Sequence, residues 1–285
     1  MRINKLILSL LLFIALVPAV QSAQIADAMQ AGDFSQVQRL IREGLDVNEP
    51  QIDGATALLW AAQWNDVQSA RLLIRNDADV NSANRTGATP LQLAAINGSA
   101  EMLELLLDAG ADPDARVTIT ADTALMLAAR TGIPEAVEVL LDNGAEVNER
   151  EEWGRTTPLM WAVAEGHTSV AKLLLENGAD VNARTIFVPP DTARGFEGSP
   201  PRDRLQDEIG SIQHASGELT AIHFAARDGY LDTAELLLDS GAEVDALTAD
   251  GKNALGLAIF NGHYELASLL IDRGSDVNQA DARGF

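Results

Sequence analysis

Four histidines are the residues of this chain best suited to proton transfer or metal binding, because a neutral imidazole can serve either purpose. His214 follows Asp203, Asp207 and Glu208, a set that could hold a metal weakly. No second His or Cys joins it, and a transition-metal site needs three or four such ligands. His167 and His263 each follow a glycine, and His223 closes the run Thr220-Ala221-Ile222-His223. The acidic pairs Glu151-Glu152 and Asp207-Glu208 are adjacent in sequence, and adjacent side chains on a helix or strand do not face each other, so they are poor acid–base partners. Cysteine is absent, which excludes thiol nucleophiles, disulfides, cysteine zinc sites and a lipid-modified cysteine anchor. No glycine-rich phosphate loop with its Lys and Ser/Thr occurs, nor a Gly-x-Ser-x-Gly elbow. The expectation is a protein that is not an enzyme, with no catalytic residue, no metal site and no cofactor.

Whatever these side chains do, a repeat positions them. The tail Gly-Ala-Asp/Glu-Val-Asn stands at Gly144 to Asn148 and Gly178 to Asn182, with variants elsewhere. Its first position falls at Gly44, Asp77, Gly110, Gly144, Gly178, Gly241 and Gly274, with gaps of 33, 33, 34, 34, 63 and 33. A fixed period near 33 is the signature of a solenoid. A second mark is Thr-Pro-Leu-x-x-Ala at Thr89 to Ala94 and Thr157 to Ala162, with looser copies starting at Thr56, Thr123, Thr220 and Asn253. Thr is a helix N-cap, and Pro suits the first turn, where its missing N–H costs nothing. Paired small residues such as Ala61-Ala62, Ala94-Ala95, Ala128-Ala129 and Ala225-Ala226 let that helix lie close to its neighbours, and Gly98, Gly132, Gly166, Gly229 and Gly262 suit the left-handed residue that ends it. A second helix follows, apolar around most of its circumference (Met102, Leu103, Leu105, Leu106 and Leu107 in one copy), so it must be sandwiched between others. Turns such as Asp53-Gly54, Thr86-Gly87 and Asp250-Gly251 then form the tip of an extended finger.

With these marks the chain resembles the ankyrin-repeat proteins, in particular those exported by Gram-negative bacteria. The resemblance covers nearly everything after residue 24 and implies an all-α solenoid of stacked helix-turn-helix units with extended finger loops. It also implies that His223, in the place of the family's Thr-Pro-Leu-His histidine, ties a helix start to neighbouring loops. His167 and His263 take a common family choice at the start of the second helix. The expected organisation is a signal peptide over 1–23, a degenerate capping repeat over 24–50, four repeats over 51–185, an insertion over 186–216, two further repeats over 217–280, and the start of an incomplete repeat over 281–285.

The first residues carry the export reading. Met1, Arg2 and Lys5 form a short positive segment, Leu6 to Val20 is almost wholly apolar, and Ser22 and Ala23 are small. That is the three-part layout of a secretory signal, and the apolar run is short of the roughly 20 residues a spanning helix needs. With 20 Lys and Arg against 42 Asp and Glu, the net charge of −22 argues against nucleic acid and anionic membrane surfaces as partners. An exported chain without cysteine must hold together through its apolar core, which suits a bacterial periplasm, with release outside the cell as the alternative.

The 63-residue gap is one repeat plus the insertion, which holds Pro189-Pro190 and Pro200-Pro201 and reads as a loop at a finger tip. Within it Leu205, Ile209 and Ile212 have helical spacing, predicting a short amphipathic helix from about Asp203 to His214. At the other end, Leu266, Leu269 and Leu270 are expected to present an apolar face without a polar cap. Either the natural product continues past Phe285 or this face pairs with another molecule, self-association included.

In the ankyrin family, partners usually meet the finger tips and the outer side of the first helices. Mapped here, that surface runs through Ile52, Asp53, Gln63 and Trp64, then Arg85, Ile96 and Asn97, then Ile119, Asp122, Arg130 and Thr131. It continues through Trp153, Arg155 and Glu165, then Leu219, Arg227 and Asp228, and closes with Lys252, Phe260 and Asn261. Trp60, Trp161 and Phe224 hold the place of Leu93, Leu127 and Leu257 and are expected to face the core. The set is rich in Trp, Ile and Arg, residues enriched at interface hot spots or cores. The functional expectation is an exported scaffold that binds a protein partner on its concave face. The rivals are a secreted effector acting on host proteins, and the targeting arm of an enzyme whose catalytic part lies beyond residue 285.

Overall fold

The computed structural model describes residues 23–116, 121–188 and 216–281. Within them the chain forms fourteen α-helices in seven antiparallel pairs. The pairs are α1 (Gln24–Gln30) with α2 (Phe34–Arg42), α3 (Ala57–Gln63) with α4 (Val67–Ile74), α5 (Pro90–Ile96) with α6 (Ala100–Asp108), and α7 (Ala124–Thr131) with α8 (Pro134–Asp142). After these come α9 (Pro158–Ala164) with α10 (Thr168–Glu176), α11 (Ala221–Asp228) with α12 (Leu231–Asp239), and α13 (Ala254–Phe260) with α14 (Tyr264–Asp272). The all-α solenoid expected from the period is therefore what the structure shows. The signal segment, Ile119, the predicted helix from Asp203 to His214 and most of the insertion lie outside the described residues.

Local chemistry starts and stops each helix as the motifs imply. The side chains of Thr56, Thr89, Thr123 and Thr157 accept the N3 backbone N–H of α3, α5, α7 and α9, and Asn253 does so for α13. The glycines between paired helices have positive φ, as does Asn65 in the one repeat that lacks a glycine there. The first position of the tail is left-handed in all seven copies, including Asp77 at φ 65°. Small residues let the first helices pack tightly: Ala61, Ala94, Ala128, Ala162, Ala225 and Ala258 are fully buried. First helices of neighbouring repeats lie closer together than second helices do. The stack consequently curves, with the first helices on its concave side.

Asparagines of the tail lace successive repeats together. Asn48 donates to Asp77 O at 2.9 Å and accepts Asp79 N–H at 2.8 Å. Asn81 spans Gly110 and Asp112 in the same way, and Asn148 spans Gly178 and Asp180. The ladder does not break at the insertion. Asn182 reaches Gly241 O at 3.1 Å and Glu243 N at 2.9 Å, so the repeats on either side stack directly.

Fingers are joined by their own staircase of backbone bonds: Arg85 N to Asp53 O, Ile186 N to Gly154 O, and Ala249 N to Gly217 O. The insertion leaves from the finger tip through a two-stranded neck. Val188 and Ser216 exchange both backbone hydrogen bonds, at 2.8 and 3.0 Å, and Thr185 N donates to Leu219 O at 2.9 Å.

Candidate functional site

The concave side carries two parallel rows of side chains, built by the same two register positions at the end of successive first helices. One row is Gln63, Ile96, Arg130, Ala164, Arg227 and Phe260; the next is Trp64, Asn97, Thr131, Glu165, Asp228 and Asn261. Of the residues mapped from the sequence, Trp64, Ile96, Arg130, Glu165, Arg227, Phe260, Gln63, Asn97 and Asn261 are exposed here, and Ile52, Asp53, Arg85, Trp153 and Arg155 are exposed on the fingers. Phe260 is 83% exposed, Trp153 59% and Trp64 56%. Asp122, Thr131, Asp228, Lys252 and Leu219 are half-buried.

Several of these residues also work within the fold. Asn97 donates to Ala62 O and Gln63 O, ending α3 from the next repeat. Asn261 donates to Leu257 O, Thr131 to Ala128 O, and Asp53 accepts Ala55 N–H. Lys252 pairs with Asp250 at 2.6 Å.

Trp60, Trp161 and Phe224 pack against the core as expected, half-buried like Leu93, Leu127 and Leu257 at the same register. Trp60 stacks on Trp64, with centroids 6.1 Å apart. The guanidinium of Arg130 lies 4.6 Å from the centroid of Trp161, and that of Arg227 lies 5.2 Å from Phe224. Trp60 Nε1 donates to Gln51 Oε1 at 2.7 Å. Trp161 Nε1 is buried without a partner. Glu151, which opens the finger before it, instead spends its carboxylate on the N–H groups of Trp153, Gly154 and Thr156.

His167, His223 and His263 are structural, and His214 lies outside the described residues. His223 Nδ1 accepts Thr220 N–H at 2.9 Å, so its proton is on Nε2, which donates to Ala246 O at 2.9 Å. Burial pushes its pKa down to about 4, opposed by the bond to Ala246. His167 and His263 donate to Arg130 O and Arg227 O, at 3.0 and 3.1 Å. Their rings fill the space where Gly132 and Gly229 lack a Cβ. Among the described residues no group of three or more His, Cys, Asp or Glu side chains could hold a metal ion, and no helix is long and apolar enough to cross a membrane.

At the last repeat the uncovered face is made by different residues from those expected. Leu266 and Leu270 are buried and Leu269 is half-buried. Exposed instead are Ile259, Tyr264, Ile271 and Val277, at 50, 72, 46 and 63%. Their register-mates one repeat earlier, Ala226, Leu231, Leu238 and Val244, are buried or half-buried beneath the next repeat. Residues aimed into a repeat's own core are covered within the repeat; those aimed along the stack need a neighbour. Ile259, Phe260 and Val277 line an open cleft of about 770 Å³ at this end.

Fold and surface together define a helical solenoid with an open binding face and no assembled chemistry among its described residues. The chain belongs to the ankyrin-repeat family, whose model matches in three copies over residues 25–117, 114–185 and 203–281. Among solved structures it is similar to the human ASB11 ankyrin repeat domain, at 27% identity and a TM-score of 0.69, covering 88% of this chain and 98% of that one. A search of curated proteins returned no significant match. Ankyrin repeats generally mediate protein–protein interaction, and the fold is typically a non-catalytic interaction scaffold.

Proposed function

We propose that this chain is an exported, non-catalytic scaffold that binds a protein partner along its concave face. The observation that carries this reading is the pair of adjacent rows that expose Trp64, Ile96, Arg130, Arg227 and Phe260, held at fixed spacing by the asparagine ladder. Aromatic and arginine side chains on a preorganised surface supply binding free energy at low entropic cost. A broad open face suits a protein more than a small molecule, which needs an enclosing pocket. Export rests on the positive, apolar and small-residue segments before residue 24, and the periplasm fits a chain without cysteine.

The test is a crosslinking pull-down from periplasm with residues 24–285 as bait, beside Trp64→Ala and Phe260→Ala versions. One enriched protein, weakened by both substitutions while thermal unfolding is unchanged, supports the reading. No enrichment, or enrichment indifferent to both, overturns it. N-terminal sequencing of the periplasmic form tests the export step: an intact Met1 would remove it.

A second reading applies to the far end, where Ile259, Tyr264, Ile271 and Val277 leave an apolar face uncovered. That face pairs with another molecule, a second copy included. Sedimentation of the chain against an Ile259→Glu/Ile271→Glu version tests it: a single monomeric species without exposed-apolar dye binding counts against pairing.

A further inference from the structure

Arg130 and Arg227 occupy the same register position at the end of α7 and α11, and each backbone carbonyl is fixed by a histidine of the following repeat. Each guanidinium lies over an aromatic ring. Stacking uses the flat face of the guanidinium and leaves its in-plane N–H fork free to take a carboxylate in two parallel bonds. In Arg227 that fork is filled from within the chain. Asp228, the next residue, accepts from Nε at 2.9 Å and from Nη2 at 2.7 Å.

In Arg130 no described residue fills the fork. The next residue is Thr131, whose hydroxyl is turned back to Ala128 O. Glu165, at the register of Thr131 one repeat on, forms no ion pair with Arg130, and no other carboxylate among the described residues does. Among the described residues Arg39, Arg71, Arg116, Arg184, Arg227 and Arg273 are ion-paired, whereas Arg42, Arg75, Arg85, Arg150 and Arg155, like Arg130, are not; of the unpaired set Arg130 is the one that lies over an aromatic ring. Arg130 is nevertheless held in place on Trp161 near the middle of the groove, so little side-chain freedom remains to be lost on binding.

We propose that the partner docked on the concave face presents an acidic residue whose carboxylate takes the Arg130 fork above Trp161, as Asp228 takes that of Arg227. This assignment rests on the concave face being the docking surface. The ligand chemistry is an acidic peptide segment.

The test uses the chain from residue 24 onward and two labelled peptides, one glutamate-rich and one with glutamine in every glutamate position. Binding is read by fluorescence anisotropy near physiological ionic strength, where a Debye length of about 8 Å screens the distant acidic surface. The glutamate peptide is expected to bind about tenfold more tightly than the glutamine peptide, the scale of one bidentate charge-assisted pair. Arg130→Ala should remove that preference, and Thr131→Asp should remove it equally by filling the fork from inside while keeping the arginine. Arg42→Ala, an exposed arginine on α2 outside the concave row, should leave it unchanged. Equal binding of the two peptides, or full preference in the Thr131→Asp chain, overturns the assignment. If Thr131→Asp still captures a protein that Trp64→Ala loses, the acidic-ligand assignment falls and the docking face stands. If neither substitution alters capture, both fall.

Discussion

Asn182 donates to the carbonyl of Gly241 at 3.1 Å, across 59 residues of sequence and the whole insertion. The repeats of α9–α10 and α11–α12 are therefore direct neighbours in the stack, and the described chain on either side of the insertion meets at the paired Val188 and Ser216.

Replacing residues 189–215 by Asn-Gly should leave the solenoid folded. Val188 and Ser216 already form an antiparallel pair, and a two-residue turn of that kind closes such a pair. Circular dichroism should show the helix content of the seven repeats retained and an unfolding midpoint within about 4 °C of the parent, equivalent to about 1–2 kcal/mol for a domain of this size. Loss of cooperativity would mean that the segment holds the two halves together.

Glycine at 217 should be far less replaceable than glycine at 178. Both have positive φ, so alanine meets the same backbone strain at each. A Cβ at 178 meets nothing within 4 Å, whereas at 217 it would lie 1.8 Å from Ile186 O, where the neck approaches the finger. Gly178→Ala should cost about 1 kcal/mol. Gly217→Ala should cost about 2 kcal/mol or more, the scale of strain at a tight backbone contact. Urea unfolding of both variants checks the difference.

Asp77 is the one tail residue of the seven that is left-handed without being glycine. It also places a carboxylate just past the C-terminus of α4, the negative end of the helix dipole. Asp77→Gly should raise stability by about 0.5–1 kcal/mol, because relief of both terms exceeds the added freedom of the unfolded chain. A fall in the urea midpoint would show that Asp77 has a partner role that outweighs them.

His223 should make stability fall on acidification. Its folded pKa of about 4 lies below the ordinary 6.5, so between those values the unfolded chain holds the extra proton. Stability from this group is fully present above about pH 6.5 and is lost as pH drops toward 4, a change of about 3 kcal/mol. His223→Gln removes the titration while keeping both bonds. Gln92 already shows this at the same register, accepting Thr89 N–H at 2.9 Å and donating to Ala115 O at 2.7 Å. The stability difference between the two proteins should grow in favour of glutamine between pH 6.5 and 4. A constant difference would refute the assignment, since the carboxylate contributions are common to both.

The period of the tail, the Thr caps and the small-residue pairs determined the fold and the order of its repeats without any coordinates. Each is a short-range property: a cap needs only its own helix, and a buried alanine pair needs only a neighbour of the same kind. The place of Trp64, Ile96 and Phe260 on the two exposed rows was legible for the same reason, since register alone puts them past the buried turn of the first helix. What covers a side chain was not legible. Trp60, Trp161 and Phe224 share a position with Leu93, Leu127 and Leu257, and all six are half-buried whatever the size of the side chain; which groups lie over them, as Arg130 lies over Trp161, the sequence did not say. Leu266 and Leu270 are as apolar as Ile259 and Ile271, but two point into their own repeat and two point along the stack axis. Arg130 and Arg227 look alike in sequence, and only the folded chain separates the fork that Asp228 fills from the one that no described residue fills. Periodicity reports which face of a helix is apolar; tertiary packing decides which neighbour, if any, lies against it.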